Sequence, residues 1–271
     1  VRLETQSDVS PHFDGVDLEA IEEIYLAYNT FGVGAAEALG TNLSKMKSLK
    51  VAGLSDIFGT RTIEEIPQAL TSICTGLRSC PQLVELNLSG NAFGARVVQP
   101  LVPLLTHHRS LQIIKIYDNG FGPEAGATVA KALIKSARRS REEGVPSSRL
   151  RLADLMRALH LRYLSLRDTC STNLPKKNEA PPARRGWEYL IDVLESTPEL
   201  EFLDLSDCVL PQPAVAALTG VLAAGKVPRL RTLLLENNDI EEEPYGALSD
   251  AVLAHLPALH TPQFGCQRRS G

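Results

Sequence analysis

One short phrase, with apolar residues at fixed offsets, recurs seven times along the chain and leaves few folds open to it. Its clear copies read LVELNLSGNAF from Leu83, LQIIKIYDNGF from Leu111, LEFLDLSDCVL from Leu200 and LRTLLLENNDI from Leu230. IEEIYLAYNTF from Ile21 keeps the spacing with Ile for Leu, and LKVAGLSDIF from Leu49 and LRYLSLRDTC from Leu161 are degenerate copies. The pattern is L-x-x-L-x-L-x-x-N/C-x-L, and the copies start roughly 28 to 50 residues apart, which leaves room for a helix after each phrase.

Alternate side chains of a strand share one face, so the second and third apolar positions, such as Leu86 and Leu88, point inward. The Asn or Cys that follows sits where the chain leaves the strand and can bond to the turn's backbone. Asn29, Asn91, Asn119, Cys208 and Asn238 are therefore read as structural. Helical stripes follow in Val97, Val98, Leu101 and Leu105, and in Val215, Leu218 and Leu222. Such a unit buries its apolar face only against its neighbours. The expected fold is α/β, a leucine-rich-repeat solenoid curved into a crescent, with parallel strands inside and helices outside. It should form a single domain over 1–271, with an N-terminal flank at 1–17, irregular insertions at 138–160 and 171–186, and a C-terminal tail at 257–271 holding no further full repeat.

Composition excludes several classes. A net charge of −4 argues against nucleic acid as the main partner, because phosphate binding demands a basic surface. No apolar stretch approaches the roughly 20 residues that cross a bilayer, and residues 1–17 hold no continuous apolar core of a signal peptide. With Val1 in place of an initiator Met, the sequence is expected to be a piece of a longer chain. Cys74, Cys80, Cys170, Cys208 and Cys266 are odd in number and lack a C-x-x-C pair, so neither a disulfide framework nor a zinc site is expected, and the compartment is a reducing one.

Nucleotide and hydrolase signatures are missing: there is no G-x-x-x-x-G-K-[ST], no G-x-S-x-G and no H-E-x-x-H. In GFGPEAGA, Gly122 and Pro123 are read as a strand-to-helix turn rather than a phosphate loop. His107 and His108 are read as surface residues. The run from Lys131 to Arg151 carries seven Lys or Arg against two Glu, and reads as a helix running out into a solvated basic loop, with a basic docking site as the alternative. NLPKKNEAPPARRG from Asn173 has loop composition, and Trp187 after it anchors the next helix.

One connection is longer than its counterparts. LSDIFGTRTIEEIP places Arg61 on a projecting turn before Glu64 and Glu65. Its planar fork suits carboxylate or phosphate oxygens on a partner, and a solvated arginine is the plain alternative.

LSDIFGTRTIEEIPQAL, CPQLVELNLSGNAFG from Cys80 and YDNGFGPEAGATVAKAL from Tyr117 closely resemble the Ran GTPase-activating protein family, over about Leu18 to Leu133. The resemblance implies an activator that is not itself an enzyme. It would bind the small GTPase Ran in its GTP form, as a monomer, in the cytoplasm or at the nuclear-envelope periphery, and accelerate hydrolysis in nucleocytoplasmic transport. It would hold no cofactor of its own, since GTP and Mg belong to Ran, and no nucleic acid or membrane. The family's loop arginine, in a phrase like DIFTGRVKDEIP, falls on Arg61, and Ile63 replaces the family's Lys. The family's key asparagine, in a phrase like LHNNGLGP, falls on Asp118, with Asn119 matching the second Asn. The resemblance thus assigns the chemistry to Arg61 and Asp118, with Arg61 docking rather than acting as a finger, and partner contacts to Asp56, Phe58, Thr60, Glu64, Glu65 and Asn119. Beyond Leu133 the match weakens, and a family phrase like GRNRLENG has no counterpart near LSLRDTCSTNL. Two alternatives stand: a binding scaffold of ribonuclease-inhibitor type, and a degenerate relative that holds Ran without stimulating it.

Overall fold

Each of the seven phrases forms a three-residue strand, and the strands that pair do so in parallel. The computed structural model describes residues 1–94, 97–144, 163–165, 186–195, 197–255 and 261–263. They divide into two units, Val1–Gly120 and Phe121–Gly271.

In the first unit β2 (Glu23–Tyr25), β4 (Val51–Gly53), β5 (Glu85–Asn87) and β6 (Ile113–Lys115) lie side by side in sequence order. Their register aligns Ile24, Ala52, Leu86 and Ile114, and all four are buried. This is what the alternation requires, because the middle residue of each strand faces the core while its neighbours face out. Burying a leucine such as Leu86 contributes roughly 2–3 kcal/mol. Helices α2 (Val33–Leu43), α3 (Glu65–Leu77) and α4 (Leu101–His107) return the chain between strands. Val97 and Val98 are buried as expected, but in the turn ahead of α4 rather than on it. Helices α2 and α3 approach closely at Gly40 and Gly76, where a Cβ on either residue would overlap the backbone of the facing helix.

Residues 1–17, the N-terminal flank, carry regular structure. Strand β1 (Arg2–Leu3) pairs in parallel with β3 (Thr30–Phe31), and the short helix α1 (Gln6–Val9) follows. Asp8 caps this start by accepting hydrogen bonds from the backbone N–H groups of Thr5 and Glu4 at 2.8 and 2.9 Å, which hold its carboxyl below the usual carboxylate range.

The expectation that His108 lies at the surface is wrong. His108 is buried, and its Nε2–H donates to the Leu77 carbonyl at 2.9 Å. Burial, reinforced by the nearby positive groups of His107, Arg109 and Arg78, pushes its pKa down to about 4. His107 beside it is exposed.

The second unit repeats the plan. Helix α5 (Gly122–Gly144) begins at Gly122, so Gly122 and Pro123 open the helix rather than a preceding turn. The helix includes the first residues of the expected 138–160 insertion; the rest of that segment, and 171–185, lie outside the described residues. Strands β7 (Tyr163–Ser165), β8 (Phe202–Asp204) and β9 (Thr232–Leu234) pair in parallel and align the buried Leu164, Leu203 and Leu233. Between them run α6 (Gly186–Glu195), which carries Trp187 in its first turn, and α7 (Gln212–Ala223). Lys131 of the basic run lies 4.4 Å from the ring centroid of Tyr189 on α6, a cation–π contact inside the unit. After α8 (Glu242–His255) comes β10 (Thr261–Gln263), paired in parallel with β9, where the sequence pattern shows no repeat.

Among the described residues no helix is long and apolar enough to cross a membrane, and no three His, Cys, Asp or Glu side chains are grouped to hold a metal. Cys74, Cys80 and Cys208 are buried thiols. Cys170 and Cys266 lie outside the described residues.

Candidate functional site

The edge of the first unit where the strands end is built by one recurring turn. The third residue past each strand adopts a left-handed backbone: Tyr28, Asp56 and Asp118 at φ 62°, 49° and 56°, and Gly90 at 68°. These residues form a row, because the Tyr28 N–H donates to Ser55 O, the Asp56 N–H to Ser89 O and the Gly90 N–H to Tyr117 O. Gly, Asp and Asn reach this conformation at low cost, which gives Asp56 and Asp118 a backbone reason for being there.

The next position holds the turn together. Asn91 Oδ1 accepts from the Ile57 N–H at 2.7 Å, and its Nδ2 donates to Leu54 O and Leu88 O. Asn119 repeats this, accepting from the Asn91 N–H at 2.9 Å and donating to Leu88 O and Ile116 O. An amide serves because it can donate and accept at once, and so meets both N–H and C=O groups of the turn backbone. Asn238 makes the same set of bonds in the second unit, to Leu210 N, Leu205 O and Leu235 O. Asn119 is fully buried in these bonds, so its position as an expected partner contact is an interior one.

Arg61 does not project. Its side chain is only 3% exposed, and its Nη1 meets Glu4 Oε2 at 2.6 Å. Nη2 donates to the carbonyls of Leu3 and Thr30, both at 3.1 Å, and Nε donates to Thr30 Oγ1 at 3.2 Å. Four of the guanidinium's directions are thereby filled by β1, β3 and the residue after β1. The hydrogen bond from Arg61, and then that from Arg2, hold the Glu4 carboxyl below the usual carboxylate range. Thr30 Oγ1 also donates to the Gly59 carbonyl, tying the same loop down a second time.

The remaining expected contacts divide by burial. Phe58 is buried, its ring 6.0 Å from that of Phe93 at 53°. Glu65 opens α3 and accepts from the Thr62 N–H at 3.0 Å, which engages its carboxylate with the turn that leads into the helix. Thr60, Glu64 and Asp118 are exposed, and Asp56 is half-buried. The loop and the Asp118 turn belong to the same edge: Ile63, which is 43% exposed, reaches toward Gly94, whose N–H donates to Asn119 O. The edge therefore presents carboxylates, a hydroxyl and Ile63, with the Arg61 guanidinium turned inward.

Sequence reasoning missed Glu4, Thr30 and Tyr28. Nothing in residues 1–17 announces a partner for Arg61. Tyr28 was visible as the occupant of the turn position that holds Asp56, Gly90 and Asp118 in the other repeats.

Ran GTPase-activating protein 1 of Saccharomyces cerevisiae is 25% identical over 283 residues, which cover 90% of this chain and 70% of the yeast protein. The chain is similar to Ran GTPase-activating proteins of four organisms. Ran GTPase-activating protein 1 of Xenopus laevis is 34% identical over 150 residues, 54% of this chain and 26% of the frog protein. The Drosophila melanogaster Ran GTPase-activating protein is 32% identical over 146 residues, 52% of this chain and 24% of the fly protein. The chain thus spans about a quarter of the length of the two animal relatives. No protein-family model matches it.

Proposed function

We propose that this chain activates the small GTPase Ran in its GTP form, offering the strand-end edge of its first unit to the GTPase. The observation that carries the reading is the position of Asp118: it stands exposed on that edge, in the turn where the resemblance puts the family's working asparagine, in a chain whose relatives are activators. GTP and its magnesium would be held by Ran, and this chain would contribute position rather than a reacting group. The burial of Arg61 supports a role without an arginine finger, since a guanidinium already holding Glu4 and two carbonyls is not available for phosphate oxygens. Arg61 instead sets the loop on which Asp56, Thr60 and Glu64 stand.

The reading includes a single leucine-rich-repeat solenoid with strands on its inner face, supported by the strand–turn–helix unit that recurs within each of the two units. It also includes a monomer acting in the cytoplasm in nucleocytoplasmic transport.

A second reading is favoured by Asp118 itself. An ionised carboxylate only accepts hydrogen bonds, whereas an amide also donates. A relative that holds Ran without stimulating it is the form this loss would take. Single-turnover hydrolysis of Ran-bound GTP, with and without the chain, decides between them. Stimulation supports the activator, binding at an unchanged rate supports the second reading, and absence of binding overturns both.

A further inference from the structure

Six described turns carry a left-handed residue three positions past a strand, and five of them use Gly, Asp or Asn: Asp56, Gly90, Asp118, Asp207 and Asn237. The sixth is Tyr28, at φ 62°. A bulky side chain at positive φ is strained, and strain of this kind persists where the side chain has a use that the fold alone does not supply. The fold draws no burial from this ring, because Tyr28 is 81% exposed. Tyr25, three residues earlier on β2, is 66% exposed, with its hydroxyl donating to Glu23 at 2.9 Å. An aromatic pair standing in water at the start of the row that leads through Asp56 and Gly90 to Asp118 has the character of a binding anchor.

We infer that Tyr28 is a partner-binding anchor, and that the group it receives is a lysine or arginine side chain of the GTPase laid over its ring. The sign of the charge follows from the neighbours. Asp56 is next to Tyr28 in the row and Glu23 lies beside Tyr25, both carboxylates, so a cation is drawn to this corner and an anion is repelled. With strands about 4.8 Å apart, three steps along the row separate Tyr28 from Asp118 by about 15 Å, within the reach of one protein interface. The inference rests on the reading that this edge faces Ran.

The test uses two substitutions with opposite expected effects. Tyr28→Asn replaces the ring with a residue that the same turn position already accepts at Asn237. It should raise Tm by about 2–4 °C while weakening the Kd for Ran loaded with a non-hydrolysable GTP analogue about tenfold or more. Tyr28→Phe, which keeps the ring, should leave both values close to those of the unaltered chain. A raised Tm with unchanged Kd would overturn the inference, since the ring would then be tolerated rather than used. A lowered Tm for Tyr28→Asn would overturn it too, because no strain would have been relieved. Failure of the unaltered chain to bind Ran would remove the functional reading and this inference together, and that outcome is read before any variant is made.

Discussion

Arg61 and Glu4, 57 residues apart in sequence, meet at 2.6 Å with the guanidinium almost wholly buried, and the pair fastens the long loop before α3 to the first strand of the chain. The one residue that the loop's length and composition single out for a partner is thus occupied by the protein itself. A buried guanidinium with four hydrogen bonds contributes by keeping them all, and truncation leaves two carbonyls and a carboxylate short of their donors.

Arg61→Ala is therefore expected to destabilise the chain by about 2–3 kcal/mol and to loosen the 55–64 loop. Urea denaturation with matched m-values reads the first effect, and protease cleavage within the loop reads the second. Any loss of GTPase stimulation should stay well below the ~10³–10⁵ of an arginine finger. A variant of unchanged stability with a finger-sized loss of rate would show that the guanidinium leaves Glu4 on binding.

Asp118→Asn is expected to raise GTPase stimulation. A carboxylate about 6 Å from phosphate oxygens, at an effective dielectric of about 20, meets a repulsion of roughly 3 kcal/mol per opposing charge, or about a hundredfold in rate. The fold should be unaffected, since asparagine occupies the same left-handed position at Asn237 and the turn is held by Asn119. Single-turnover hydrolysis is the measurement. An unchanged rate would reduce Asp118 to a turn residue.

Asn91→Ala should cost about 2–4 kcal/mol. It removes the acceptor for the Ile57 N–H and the donor to Leu54 O, both in the interior, while Leu88 O keeps its bond from Asn119, and a buried backbone group left alone costs about 1–3 kcal/mol, partly relieved by local adjustment. Asn91→Asp keeps the acceptor, loses the donor and adds a buried charge, so it should be at least as damaging. Thermal unfolding of the two variants checks the order. A fully stable alanine variant would show that water takes over the ladder.

Stability should fall as the solution is acidified through the window set by His108. Its folded pKa of about 4 lies below the ordinary value of 6.5, so the unfolded chain binds the extra proton more readily between those values. The contribution is fully present above pH 6.5, declines as pH falls toward 4, and levels off below that, with a total of about 3 kcal/mol. Replacing His108 with Gln keeps a donor for the Leu77 carbonyl and should flatten the pH dependence of unfolding across this window. An equal slope in both proteins would place the titration elsewhere.

The repeat was legible in the chain because it is local. The apolar offsets specify which side of each strand is buried, and the phrases at Ile21, Leu49, Leu83, Leu111, Leu161, Leu200 and Leu230 all became strands. The turn asparagines were legible for the same reason: Asn91 and Asn119 bond to the carbonyl three residues earlier in their own turns, and repetition makes such a requirement visible. Strand β10 escaped because Thr261, Pro262 and Gln263 lack the apolar phrase, and pairing with β9 rather than their own composition makes them a strand.

What depends on distant residues stayed hidden. Composition around Arg61 describes a polar loop, and only the fold brings Glu4, Leu3 and Thr30 to its guanidinium and reverses it from outward to inward. His108 looks like its neighbour His107, yet the packing of α3 against the end of α4 sets the Leu77 carbonyl 2.9 Å from one ring and leaves the other in solvent. The sequence by itself determined the repeating strand, turn and helix, since their periodicity is a property of consecutive residues. Tertiary structure alone decided which polar side chains are spent inside the protein and which remain at the edge, because burial and hydrogen bonding are settled between residues that the chain order keeps far apart.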